Sequence, residues 1–207
     1  MVKLLDSIES LKNSSVAEVV QSRINEFRIK GQSDPKEIFK ELCFCILTAN
    51  YTSEGGMRIQ NTIDNDFLTL PEPRLASRLK QLGHRFPNSR ARYIAAARVH
   101  TSQIIKLLAT KNEPIIREWL VENVLGLGYK ESSHFLRNIG YLNLAILDFH
   151  IIDVLVRHKV IRKPKTLSKK NYLGIEKKLE KISRATGLSQ GELDFYLWYM
   201  ETGKVLK

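Results

Sequence analysis

Apolar residues recur along this chain at spacings of three and four, and no stretch alternates long enough to predict a strand. The clearest stripe is Ile115, Ile116, Leu120 and Val124, which predicts a helix. Gly126-Leu127-Gly128 breaks it, and a second helix follows with Phe135, Leu136 and Ile139 buried and Lys130, Ser133 and Arg137 on another face. Residues 1–30 predict one or two helices, the second striped by Val16, Val19, Val20, Ile24 and Phe27. Ser33-Asp34-Pro35 places a cap before a proline suited to a first helical turn and opens a strongly apolar helix from Ile38 to Thr48. Glu54-Gly55-Gly56 reads as a turn, Met57 to Phe67 as a short helix, and Pro71 to Leu82 as another. The basic and aromatic stretch from Gly83 to Tyr93 reads as a loop in which Pro87 blocks helix continuation. A long amphipathic helix is predicted from Ala95 to Leu108, then helices over Ile151–Val160 and Leu167–Ala185, with Arg162-Lys163-Pro164-Lys165 as a linker. In the last helix Leu193, Tyr196, Leu197 and Met200 face inward. The fold class is all-α, with roughly ten helices and no internal repeat.

Composition narrows the function. With 207 residues and 43% hydrophobic content, the chain is long enough for an ordinary buried core. Its net charge of +11 points to a polyanionic partner, most often nucleic acid. Cys43 and Cys45, two positions apart on a helix, face different directions and form neither a C-x-x-C site nor an iron–sulfur cluster. No apolar run reaches membrane-spanning length and no signal peptide is visible, so the expected location is cytoplasmic, at the nucleoid.

Candidate chemistry collects at the glycine pair. A helix, a tight Gly-x-Gly hairpin and a second helix make a helix-hairpin-helix, whose amides and helix start suit a phosphate. Lys130 lies in the first turn of that second helix, where a cation is disfavoured and the neutral amine that a nucleophile requires is favoured. Glu131 beside it acts in the opposite sense. Asp148, where an apolar run ends and a helix begins, suits an N-cap, and equally a carboxylate held near the hairpin lysine.

Lysine and aspartate on such a hairpin resemble the helix-hairpin-helix DNA glycosylase superfamily. Its Leu-x-Gly-x-Gly-x-Lys motif appears here as Leu125-Gly126-Leu127-Gly128-Tyr129-Lys130, one residue short after the leucine, with Asp148 downstream. Within that superfamily, residues 130–141 and 146–153, Leu47-Thr48-Ala49-Asn50, Arg85-Phe86 and the ending Leu197 to Lys207 resemble the compact archaeal-type 8-oxoguanine DNA glycosylase/lyases. The resemblance implies two lobes: residues 41–150, with the helix-hairpin-helix at about 116–139, and a second built from 1–40 plus 151–207, the active site lying in the cleft between them. It implies Lys130 as the amine nucleophile and Asp148 as its carboxylate, with Gly126, Gly128, Asn50, Arg85 and His150 on DNA. It implies a base pocket of Phe86 and Trp198 sandwiching the ring, His134 on the wall, and the Lys207 α-carboxylate as acceptor. Asp194 and Glu201, on the last helix, read as solvent-facing. No cofactor is implied; the 126–128 hairpin is the candidate seat of a monovalent cation. The expected partner is duplex DNA carrying an oxidised base, bound by a monomer. Rival readings are a non-catalytic DNA-binding module and a glycosylase/lyase for another oxidised base.

Overall fold

The computed structural model describes residues 2–207, and among them every regular element is helical. In chain order these are α1 (Val2–Lys12), α2 (Val16–Gly31), α3 (Pro35–Thr48), α4 (Ser53–Ile63), α5 (Asp66–Thr69), α6 (Glu72–Gln81) and α7 (Pro87–Ala97). After a 3-10 turn (Arg98–His100) come α8 (Thr101–Leu108), α9 (Glu113–Asn123), α10 (Tyr129–Asn138), α11 (Phe149–Arg157), α12 (Lys169–Thr186) and α13 (Gln190–Thr202). None of these helices is long and apolar enough to cross a membrane.

Thirteen helices exceed the rough ten expected, because three predicted elements are interrupted or displaced. The helix predicted over Ala95–Leu108 is two, separated by the 3-10 turn. Pro87 does not block a helix but begins one, since at the first helical position its missing N–H costs nothing. Gly55 and Gly56 lie inside α4 and not in a turn before it. The reason is proximity: a Cβ on Gly56 would sit 2.6 Å from Thr48 Cγ2, so glycine lets α4 lie against α3.

The packing follows from α3. Its six residues Leu42 to Leu47 are wholly buried, cysteines included, and burial pushes both thiols well above their usual range. Asp34 caps α3 by accepting from Lys36 N (2.8 Å). Helices α4, α5, α7, α8 and α10 surround it, and their apolar faces close one core running from Ile38 to Leu144. A Phe44→Ala change there would cost about 3–5 kcal/mol. A second core joins α1 to α11, α12 and α13 through Leu4, Ile8, Leu155, Leu179 and Leu197. Helix α2 lies along the seam, with Phe27 stacked on Phe195 (6.0 Å between centroids). Two buried ion pairs cross from one core to the other. Arg117 on α9 makes a bidentate pair with Glu176 on α12 (2.6 and 2.8 Å), and Arg137 on α10 pairs with Asp194 on α13 (2.5 Å).

Candidate active site

The hairpin between α9 and α10 places Lys130. Gly126 takes φ +84°, and a Cβ there would lie 2.4 Å from the Tyr93 ring, so glycine is required on both counts. Gly128 has no such need: its φ of −98° and ψ of −169° are extended, open to any residue. Its amide is also engaged, donating to Glu131 Oε2 (3.2 Å), because a glutamate three residues into a helix reaches back to the cap. A phosphate meeting this hairpin must share or displace that carboxylate. Lys130 is the second residue of α10, its side chain about a quarter exposed, with Nζ 3.9 Å from Glu131 Oε1. The residue before it is clamped. The Tyr129 ring lies 5.2 Å from the Arg117 guanidinium and 5.4 Å from the Tyr172 ring, and its hydroxyl donates to Glu118, which also pairs with Lys169. Ser133 and Arg137, expected on an outer face of α10, are buried: they serve the cross-core contacts to Arg117 and Asp194.

Asp148 is delivered by an irregular strap running from Leu142. Tyr172 holds that strap, its hydroxyl donating to Ala145 O (2.7 Å) and accepting from Leu147 N (3.2 Å). Asp148 caps α11 through Oδ1, which accepts from Ile151 N (2.9 Å). The cap uses one carboxylate oxygen, so the other is left for a second role.

Lys130 and Asp148 line the same cavity, of about 920 Å³, between the two cores. Asn50, Arg85, His134, His150, Trp198 and Lys207 line it with them. Asn50 is exposed at φ +58°, a left-handed conformation that asparagine tolerates better than most residues. Its turn is braced from behind: Arg90 donates to Ala49 O, and His84 Nε2 to Leu47 O (3.0 Å). His84 Nδ1 accepts from Phe86 N (3.0 Å), so this histidine is the neutral Nε2–H tautomer, and burial lowers its pKa accordingly. Trp198 meets the His150 ring edge-on (5.6 Å), and His150 in turn lies against Phe149 (3.9 Å), which is 68% exposed at the mouth. His134 is buried edge-on to Phe44 (5.7 Å) and neutral, because burial and the charges of Arg137, Lys130 and Lys207 push its pKa well down.

Two residues stand elsewhere than expected. Phe86 is not among the residues that line the cavity with Trp198. It stands just before Pro87 at the start of α7, partly exposed, beside the guanidinium groups of Arg85 (5.1 Å) and Arg90 (5.8 Å). Asp194 is not solvent-facing but buried in the cavity wall. Burial pushes its carboxyl up to about 7 against the pull of Arg137 and Lys130. Sequence reasoning did not see the pairing of Asp194 with Arg137, since nothing local marks a pair 57 residues apart.

The Asp194 shift has a stability consequence. Between pH 3.8 and about 7 the folded protein holds a proton that the unfolded chain releases, so this group makes stability fall as pH rises through that window. Asp194→Asn should flatten that part of a Tm-against-pH curve; an unchanged slope would place the Asp194 carboxyl near its ordinary range.

An all-α, two-lobed chain with a glycine hairpin lysine and an aspartate facing one interlobe cleft has the fold of a helix-hairpin-helix DNA glycosylase. The 8-oxoguanine DNA glycosylase helix-hairpin-helix family profile matches residues 20–188, and the chain belongs to that family. It is 50% identical to the 8-oxoguanine DNA glycosylase/AP lyase of Korarchaeum cryptofilum over 99% of this chain and 98% of that one. The Methanocaldococcus jannaschii 8-oxoguanine glycosylase/lyase, solved with a 15mer DNA containing 8-oxoguanine, superposes with a TM-score of 0.96 at 49% identity, covering 99% of this chain and 100% of that chain. The Thermotoga maritima 8-oxoguanine DNA glycosylase superposes at 0.93 with 42% identity, over 99% of each chain.

Proposed function

We infer that this chain excises 8-oxoguanine from duplex DNA and then cuts the strand 3′ to the lesion, with Lys130 as nucleophile and Asp148 as its carboxylate partner. The observation that carries the assignment of roles is that these two side chains, from different helices, face one cleft large enough for a base. The base must leave the stack to be reached, which costs a few kcal/mol. Grip on the backbone by the 126–128 hairpin, Arg85 and His150 offsets this, while Asn50 enters the vacated space. Trp198 offers a face to the extruded ring, and His134 borders it. 8-Oxoguanine carries a hydrogen on N7 where guanine has a lone pair, so an acceptor-only group discriminates between them. The main-chain oxygen of Lys207, an acceptor only, is such a group. The protein acts as a monomer on nucleoid DNA.

The chemistry runs through the amine. Neutral Lys130 Nζ bonds to the sugar C1′ as the C1′–N9 bond breaks and the base departs with a proton. Loss of the ring oxygen from C1′ leaves a protonated imine between C1′ and Nζ. That imine acidifies C2′–H; removal of the proton expels the 3′ phosphate as the C3′–O bond breaks, which is β-elimination. The Asp148 carboxylate faces the positive charge that builds on the sugar during base departure. Borohydride reduction of the imine is the decisive experiment. Incubation with an 8-oxoguanine duplex and borohydride should leave a covalent protein–DNA complex. Its absence, with binding intact, would leave a DNA-binding module. A panel of oxidised bases separates the 8-oxoguanine reading from that of another lesion.

The +11 charge and the hairpin imply several phosphate contacts. The log–log dependence of DNA affinity on salt should slope by about −0.9 per contact. A slope near zero in a fluorescence-anisotropy titration would exclude duplex DNA as the partner.

A further inference from the structure

We propose that Glu41 is a buried receptor for the Lys207 ammonium and acts as a positioning residue for recognition of the oxidised base; this rests on the reading of Lys207 as the acceptor for the base. Glu41 stands in the buried helix α3, between Lys40 and Leu42, and is 1% exposed. A carboxylate in such surroundings is strongly disfavoured unless its charge is matched. The matching cation comes from the far end of the chain: Lys207 Nζ lies 2.7 Å from Glu41 Oε2.

The receptor meets the cation with more than one group. Lys207 Nζ also donates to Gln60 Oε1 (2.7 Å) and sits 4.5 Å from the centroid of the Phe44 ring. One carboxylate, one amide oxygen and one aromatic face therefore meet three sides of the cation. Glu41 is itself held by donors from elsewhere, Asn138 Nδ2 (2.9 Å) and Gln60 Nε2 (3.5 Å). Chain ends usually fray, yet the Lys207 side chain is only 17% exposed.

Anchoring the ammonium inside the first core fixes the main chain of Lys207 against the cavity. Its main-chain oxygen lies 3.4 Å from Ser53 Oγ, at the start of α4. Lys204, further back along the same tail, pairs with Glu54 (3.0 Å). The tail thus leaves α13 in the second lobe and is fastened to α3 and α4 in the first, passing along the cavity that both lobes form. Glu41 also joins this anchor to the opposite acidic group of the wall. Asn138 Oδ1 accepts from Arg137 Nε (3.1 Å) and Nη2 (2.9 Å), and Arg137 pairs with Asp194. Lys207 and Asp194, both of which line the cavity, are in this way set by one buried chain of polar contacts.

The test is three single-turnover rates: excision of 8-oxoguanine, excision of guanine at the same position, and strand cleavage at a preformed abasic site. Glu41→Gln keeps the shape and removes the charge. It should lower the ratio of 8-oxoguanine to guanine excision at least tenfold while abasic-site cleavage stays within twofold of wild type. Lys207→Arg should retain most of the ratio, and the Glu41→Gln, Lys207→Gln double variant should be no worse than either single variant, because both remove one contact. If Glu41→Gln does not fold, Gln60→Ala, which removes one wall of the receptor, should lower the same ratio in the same direction. Equal loss of all three rates, or a lower Tm with the ratio intact, would make the pair a purely structural one and overturn the proposal. If deletion of Lys207 leaves the ratio unchanged, the reading of Lys207 itself fails; if deletion destroys it and neither Lys207→Gln nor Glu41→Gln does, the receptor role alone fails.

Discussion

Lys130→Gln should give no borohydride-trapped complex with an 8-oxoguanine duplex, and strand cleavage should fall on the order of 10⁴-fold or more, as when other covalent nucleophiles are removed. Glutamine has no basic amine to form the imine, yet it has similar length and suits the helix interior. The surroundings of residue 130 are rigid for reasons independent of its charge. Tyr129 is held by Arg117, Tyr172 and Glu118, and the hairpin by Gly126. The substitution should therefore leave fold and DNA affinity near wild type. Undiminished trapping by the variant would move the nucleophile elsewhere, and Lys204 and Lys207 are the other lysines lining the cavity. Trapping abolished together with DNA binding would mean that Lys130 is a phosphate contact.

Local chemistry made much of this molecule legible before any coordinates. Asp34-Pro35 is a cap whose residue types act over two or three positions, and it caps α3 as expected. The hairpin was legible because Gly126 has to be glycine, and Asp148 because a cap is a local device. What stayed hidden depends on contacts distant in sequence. Pro87 is as compatible with starting a helix as with stopping one, and only the preceding backbone decides; Phe86 consequently sits outside the cavity. Arg137 reads as a surface cation until Asp194 is beside it, and Glu41 pairs with a residue at the other end of the chain. Glu41 did leave a trace in the sequence. It is an acid directly before a run, Leu42 to Leu47, that is wholly apolar and buried, and an acid drawn into such a core has to find a cation. The coarse function was legible because lysine, glycine hairpin and aspartate are a chemical set, whereas the walls of the base cavity come from six separated segments.

Asp148→Asn separates the two roles that one side chain holds. As a cap, asparagine serves about as well as aspartate, so α11 should form and Tm should barely move. The acceptor bonded to Ile151 N is an oxygen in either case. What disappears is the negative charge facing the sugar. Base departure builds positive charge at C1′ and the ring oxygen, and a fixed carboxylate in a site shielded from water stabilises it far more than an amide dipole does. Single-turnover excision of 8-oxoguanine should fall by about 10²- to 10³-fold. Cleavage at a preformed abasic site should fall less, because there the amine meets an aldehyde and no base has to leave. Asp148→Ala is the comparison: it should lose the same excision and, in addition, about 1 kcal/mol of stability with the cap. The diagnostic is the divergence between excision and abasic-site cleavage in Asp148→Asn at unchanged Tm. Near-normal excision by that variant would reduce Asp148 to the cap that α11 needs, and the charge facing the sugar would then have to come from Asp194, the other aspartate of the cavity wall.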